Sequence, residues 1–403
     1  MVIKIGLPER RPNDFSDVIP KVREIIRLVR ENGDDALINL TEQLDGVRLS
    51  SVKVKNNELK ELSDNLDENV KWAIDVIYDQ LKQFNELLKP PNIGGNSNGM
   101  NYGVIWKPIE KVGIYVPSGK KSYPSTALMA ITAAKVAGVS EMYLTTPPRK
   151  DGKIDNAIGY IASKLGVKEV YRVGGAQSIA ALAYGTQTVK KVYKIVGPGN
   201  KYVQAAKILV SLDVGIDGIE GPTELVIILD ESAKLDDVIE DIRAQAEHGT
   251  DTYIVIISLN NILIKELIEK LNNDDNIYYI VTVKDLDEAL RIANDIAPEH
   301  LSLQIKFARN YLNKIDNAGA ITLSNTPPAL IDYGGGPNHI LPTNGWAKVR
   351  GGLSVYDFLK PIMYLESLRP SNDLIKASII LAEYEGFYIH SKSIRNRYGE
   401  YFR

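Results

Sequence analysis

The chain has 403 residues, 44% of them apolar, which is enough for two or three packed domains because one core seldom grows past about 250 to 300 residues. A formal charge of -3 gives no electrostatic reason to expect nucleic acid or an anionic membrane as partner, and small-molecule chemistry becomes the expectation. There is no cysteine, so a disulfide framework, a thiolate zinc site and a cysteine nucleophile are excluded, and any metal must be held by nitrogen and oxygen. Residues 1–11 hold no apolar signal core. The longest apolar runs, such as LVIIL at 225–229, are far too short to span a bilayer, so a soluble, cytoplasmic protein is expected. Few Met, no Cys and many Ile, Lys and Glu suit a heat-stable protein.

In the first hundred residues, apolar positions recur every three or four residues over 18–30 and 57–88, which predicts helices that form a support and carry little chemistry. A breaker-rich run, PPNIGGNSNGM at 90–100, ends this region and leads into a short alternating strand at 102–107. From 112 to 230 short β-branched or aromatic strands alternate with Ala-rich helices, the pattern of a mainly parallel sheet covered on both faces. Strands are expected at 113–116, 141–145, 169–173, 191–195 and 224–229. Three of them run into turn motifs: YVPSGKKSYPST from Tyr115, VGGAQS from Val173 and VGPGNKYV from Val196. Loops at the carboxyl ends of parallel strands bind ligands in open α/β sheets. Gly174, Gly175, Gly197 and Gly199 would let backbone approach a phosphate, with Gln177 and Asn200 at the edge. The same residues also suit ordinary strand-to-helix turns, and no GxGxxG fingerprint is present.

A second α/β unit follows, with strands expected at 253–258, 278–283 and 320–324. A helix expected at 235–248 places Gln245 and His248 three residues apart on one face. General ligand rules nominate His248 alone as a metal ligand. Glu299 and His300 are an adjacent acid and base expected in a loop, where a helix cap or a satisfied core pair is the plainer alternative. In IDYGGGPNHILPT, from 331, a three-glycine turn can bring Asp332 and His339 together, for function or only to satisfy local backbone. Near the C-terminus Glu385 and His390 stand roughly 140° apart on an ideal helix, so they reach different parts of a site or the helix breaks at Gly386. All four histidines lie beside or within a few residues of an acid, and two of them are expected in breaker-rich loops.

These motifs, in order, resemble the histidinol dehydrogenase family from about Lys107 to His390. The matching stretches are the tyrosine-proline turn at Tyr115, GGAQ at 174–177, GPGN at 197–200, GPTE at 221–224, QAEHG at 245–249, APEHL at 297–301 and DYGGGPNHILPT. The first hundred residues match in helical character only. Thr223 stands where the family usually has serine, and Ser118 where a second glycine is common.

The resemblance implies two incomplete Rossmann-like α/β domains with mainly parallel sheets, a helical N-terminal region and a small C-terminal extension. It implies a main domain of 1–114 plus 225–353, an inserted NAD-binding domain of 115–224, and a C-terminal piece of 354–403 that reaches the partner's site in a homodimer with shared active sites. It further implies one Zn²⁺ per subunit on Gln245, His248, Asp332 and His390, completed by substrate nitrogens. His300 would be the general base for the alcohol, and Glu299 would activate water. Thr223, His339 and Glu385, with His300 and the metal ligands, would contact substrate, and Tyr115, Gln177 and Asn200 would contact NAD. The implied reaction takes L-histidinol through L-histidinal to L-histidine, the last step of histidine biosynthesis. The rival readings are a zinc hydrolase acting on a small polar substrate, which leaves the glycine motifs without a role, and a metal-stabilised binding protein, which leaves Glu299 and His300 unexplained.

Overall fold

A computed structural model describes residues 2–6, 14–118, 121–271 and 277–398. Gly119 and Lys120 of the loop after Tyr115, and most of residues 1–11, lie outside the described residues. The chain divides into two compact units, Met1–Lys89 with Ile109–Phe358, and Pro90–Pro108 with Leu359–Arg403.

The first unit is built on two parallel sheets. One has the spatial order Glu169–Tyr171, Glu141–Thr145, Lys111–Tyr115, Lys194–Val196, Gly215–Ile216. Counted along the chain this is 3-2-1-4-5, the doubly wound order without its last strand. The other sheet repeats that order with Ile277–Thr282, Tyr253–Ser258, Glu224–Leu229, His300–Gln304 and Ala320–Leu323, and adds Val2–Ile5 parallel to its edge. Two incomplete Rossmann-like sheets are therefore present. In Glu224–Leu229 every residue is buried. Leu225, Ile227 and Leu229 face one core, and Val226 and Ile228 face the opposite one, which is why the strand reads as a continuous apolar run.

The N-terminal helices cover the five-stranded sheet. Val22, Ile25, Ile26 and Val29 of Ile19–Asn32 share a core with Val173, Ile179, Ile195 and Val203. The single helical run expected over 57–88 is two helices, Asn56–Asp64 and Glu68–Leu88. Asp67 caps the second by accepting from the Asn69 N–H at 2.8 Å. A further helix, Asp34–Asp45, lies between Gly33 and Gly46.

The second unit holds a three-stranded antiparallel sheet ordered Leu359–Ser367, Met100–Pro108, Ile93–Ser97, followed by helices Asn372–Tyr384 and Tyr388–Tyr398. The run at 90–100 expected as a breaker contains a strand. Its hairpin turns on Asn98 and Gly99, both with positive φ (51° and 75°), the two-residue Asn-Gly connection that fits the twist of paired strands.

Candidate active site

The two sheets present opposite ends to chemistry. In the five-stranded sheet, strand order reverses between Lys111–Tyr115 and Lys194–Val196, and the loops leaving their carboxyl ends begin at Tyr115 and Gly197. A Cβ on Gly199 would lie 3.1 Å from the Tyr115 ring, and the Tyr115 hydroxyl accepts from the Gly175 N–H at 3.4 Å. Burial pushes the Tyr115 hydroxyl up to about 12, so it keeps its proton at neutral pH. Asn200 caps helix Lys201–Val210 through its side-chain oxygen, which accepts from the Tyr202 and Val203 N–H groups at 3.0 and 3.2 Å. Gln177, in the first turn of Gly175–Tyr184, is buried and its amide oxygen has no hydrogen-bond partner.

In the six-stranded sheet the chemistry sits at the amino ends of the corresponding pair of strands. His300 opens strand His300–Gln304 and Glu299 immediately precedes it, so the acid–base pair expected in a loop is held by the sheet itself. The two strands exchange bonds through their acids. The Glu224 N–H donates to the Glu299 carboxylate at 2.8 Å, and the Glu299 N–H donates to that of Glu224 at 3.2 Å. The Thr223 hydroxyl adds a bond to Glu299 at 2.6 Å. Burial nevertheless pushes the Glu299 carboxyl up to about 7, against the opposing pull of the His300 charge, the Thr223 hydroxyl and the Glu224 N–H. Such a group can take or give a proton at neutral pH.

His300 is buried, and its Nε2 lies 3.4 Å from the Asp332 carboxylate. Burial works against the imidazolium, but the Asp332 hydrogen bond and the charges of Glu299 and Asp332 outweigh it and raise the His300 pKa. Asp332 is the counterpart: burial would raise it, while His300, His339 and His248 together hold it below the usual carboxylate range. Asp332 sits in a short helix, Ala329–Tyr333, ahead of the glycine turn. Its backbone carbonyl is 2.8 Å from Nδ1 of His339, whose Nε2 is 2.8 Å from the Thr126 hydroxyl. A carbonyl can only accept, so Nδ1 carries the proton, and in the neutral ring Nε2 accepts from Thr126.

The helix expected at 235–248 is Leu235–Ala246, so Gln245 is in its last turn and His248 lies beyond its end. The chain is already turning there, with the His248 N–H donating to the Gln245 carbonyl at 3.2 Å. His248 is exposed, yet the protein around it still lowers its pKa against the pull of Asp332, with His300 and Lys121 adding to the lowering. Gln245 is buried with an amide oxygen that bonds to nothing. Glu385 and His390 belong to the second unit and are exposed. The helix breaks at Gly386, with φ 82°, so Glu385 ends one helix and His390 lies in the next.

The histidinol dehydrogenase family model matches residues 8–398. A histidinol dehydrogenase of Saccharolobus solfataricus is 62% identical over 98% of this chain and 100% of its own length, and one of Sulfurisphaera tokodaii is 59% identical over 99% and 100%. The chain belongs to the histidinol dehydrogenase family. The crystal structure of histidinol dehydrogenase from Elizabethkingia anophelis superposes with a TM-score of 0.94 at 29% identity, covering 100% of this chain and 99% of that one.

A family so defined uses zinc and NAD, and the residues here suit both. An amide oxygen buried without a partner is costly unless something binds it, and Gln245 and Gln177 each carry one, at the places implied for metal and for nucleotide. Among the described residues no group of three or more His, Cys, Asp or Glu comes together as a metal cluster. Sequence reasoning assigned no role to Glu224 or Thr126, although both lie in motifs it singled out. Their partners, Glu299 and His339, are 75 and 213 residues away, and no local pattern reveals such pairings.

Proposed function

We infer that this chain oxidises L-histidinol to L-histidine through L-histidinal, using two NAD⁺ in sequence, the last step of histidine biosynthesis. The observation that carries the reading is the Glu299–His300 pair, buried at the head of one strand with a carboxylate on each side: Glu224 beside Glu299 and Asp332 beside His300. The first oxidation removes a proton from the alcohol oxygen and two electrons from its carbon. The second adds water to the aldehyde and removes two more electrons. One site must then serve two proton transfers of different kinds, and two adjacent groups with separate partners meet that need.

In this reading His300 takes the alcohol proton and Asp332 steadies the imidazolium that results. Glu299 takes a proton from the attacking water, and Thr223, just ahead of the neighbouring strand, fixes its carboxylate. Thr223, Gln245, His248, Asp332, His339 and Glu385, with His390, bind the substrate or the metal that carries it. Gln245, His248, Asp332 and His390 would hold one Zn²⁺, which when bound supplies a Lewis-acid anchor for the substrate's nitrogens. Tyr115, Gln177 and Asn200 would hold the nicotinamide cofactor, the two-electron acceptor of each half. The five-stranded sheet, which starts with Lys111–Tyr115 and carries the N-terminal helices, would be the nucleotide-binding part, and the six-stranded sheet the part that bears the acid–base pair, so the boundary expected at 114/115 moves ahead of Lys111 and the first helices go with the nucleotide-binding sheet.

The segment 354–403 supplies Glu385 and His390 to the site of a second copy, giving a homodimer with shared sites. In support, the second unit exposes Met363, Leu365, Leu381, Tyr384, Phe387 and Ile389, an apolar surface of the sort that interfaces cover. No helix among the described residues is long and apolar enough to cross a membrane, and a biosynthetic role suits the cytoplasm. Absorbance of NADH during histidinol oxidation tests the reading. Two NADH per histidinol consumed is expected, and release of product without NADH would replace it with hydrolysis.

A further inference from the structure

A buried cation beneath the Gly197–Asn200 loop has no part in the chemistry above. Lys207, on helix Lys201–Val210, is 0% exposed. Its ammonium has three donors and all are used: Asp217 at 2.6 Å, Glu220 at 2.9 Å and the Gly197 carbonyl at 3.0 Å. Asp217 in turn accepts from the Gly197 N–H at 2.6 Å, so one ion pair grips both polar groups of Gly197. Gln204, one turn earlier on the same helix, donates to the Gly199 carbonyl at 3.3 Å and to Glu220 at 3.1 Å, and accepts from the Glu220 N–H at 3.2 Å. From the other side the loop rests on Tyr115. Gly197 has φ +124°, and a Cβ there would lie 2.0 Å from the Tyr115 carbonyl oxygen.

Stability alone does not ask for this arrangement. A buried ion pair is on average no better than well-packed apolar side chains of the same volume, so charge at this depth points to something held in a defined direction. What it holds is backbone. The bonds fix the peptide groups of Gly197 and Gly199 from beneath, while Asn200 starts the helix. We propose that Lys207, with Asp217 and Gln204, is the positioning group that keeps the Gly197–Asn200 loop in its nucleotide-binding conformation, so that NAD⁺ meets a loop already ordered. The proposal rests on the reading that this loop binds NAD⁺. Ordering a loop before the ligand arrives removes a cost from binding and leaves the substrate end of the site untouched.

The test is calorimetric titration of the zinc-loaded, full-length protein with NAD⁺ and, separately, with histidinol. Lys207→Met should weaken NAD⁺ binding by roughly tenfold or more, with zinc content and histidinol binding unchanged. Gln204→Leu leaves the ion pair in place and should weaken NAD⁺ by a smaller factor in the same selective way. It decides the matter if Lys207→Met does not fold. Unchanged NAD⁺ affinity in the folded variants would overturn the proposal. So would a parallel loss of NAD⁺ and histidinol affinity that follows melting temperature, since that is what a purely structural role produces. If NAD⁺ binds the wild type but Asn200→Asp leaves its affinity unaltered, the nucleotide assignment of the loop fails and the proposal falls with it.

Discussion

Glu299→Gln should make folding stability less dependent on pH, by an amount the structure sets. The Glu299 carboxyl is enclosed, and burial raises it from 4.5 to about 7. Between those values the folded chain keeps a proton that the unfolded chain has released. Stability therefore falls as pH rises through this window and stays lower above it. The window is 7 minus 4.5, or 2.5 units, and at about 1.36 kcal/mol per unit it corresponds to about 3 kcal/mol. Glutamine has nearly the same shape and no proton to lose, and its amide oxygen can still accept from Thr223 and from the Glu224 N–H. Denaturant unfolding of wild type and variant at pH 5 and pH 8 reads the effect, because titrating groups remote from Glu299 cancel in the double difference and the neighbouring His300, whose proton the Glu299 charge favours, is followed by its own NMR titration in both proteins. The wild type should lose most of that ~3 kcal/mol relative to the variant on going to pH 8. Parallel losses in the two proteins would refute the claim that this carboxyl is held neutral by burial.

His300→Ala should lower turnover by roughly 10² to 10⁴, the usual range for losing a general base, with zinc content and histidinol affinity retained. Loss of zinc in that variant would move His300 into the metal shell. Mixing subunits tests the shared site: His248→Ala and His390→Ala chains, each inactive alone, should regain activity as hybrid dimers, because one of the two sites then collects both lesions and the other has neither. No recovery, with hybrids verified by mass, would return the C-terminal segment to its own chain.

The sequence disclosed the strands well and the joining of the site poorly, for one physical reason. A strand buried on both faces, such as Glu224–Leu229, announces itself as an unbroken apolar run. His300–Gln304 is just as buried, but with His, Ser and Gln among its five residues it has no such run, so Glu299 and His300 read as loop. Position along the sheet makes up what composition lacks. Leu301 and Leu303 pair in register with Val226 and Ile228, and that pairing is set by the neighbouring strand. The hairpin at Asn98–Gly99 was the opposite case, since its two-residue turn was visible and only the glycine-rich strand before it concealed the pairing. Asp332 and His339 lie within one motif, and their meeting through a carbonyl and a ring nitrogen was accessible locally. The reciprocal bonds of Glu224 and Glu299 were not, because they exist only once two strands lie side by side.

The two sheets share a strand order and use it in opposite directions, and this bears on the proposed sharing of one site by a nucleotide and a small polar substrate. In the five-stranded sheet the carboxyl ends at the order reversal supply glycine turns and the amino end of a helix, both suited to phosphate. In the six-stranded sheet the amino ends of the equivalent pair supply carboxylates and a histidine. A strand's first residues still have N–H groups to offer to a neighbour's side chain, and Glu224 and Glu299 use theirs on each other. The segment between the sheets ties the two ends together. Glu220 joins Lys207 beneath the glycine loop and is reached by Arg350 at 3.2 Å, the Gly221 N–H donates to Thr343, and the Asn344 N–H donates to Glu224 at 2.8 Å. A displacement of the glycine loop would therefore be felt within four residues of the carboxylate that faces Glu299. If the glycine loop binds NAD⁺ as proposed, its ordering and the acid–base geometry are linked through these hydrogen bonds and two short backbone steps, Glu220–Gly221 and Thr343–Asn344, which suits an enzyme that must hold a reactive aldehyde between two oxidations.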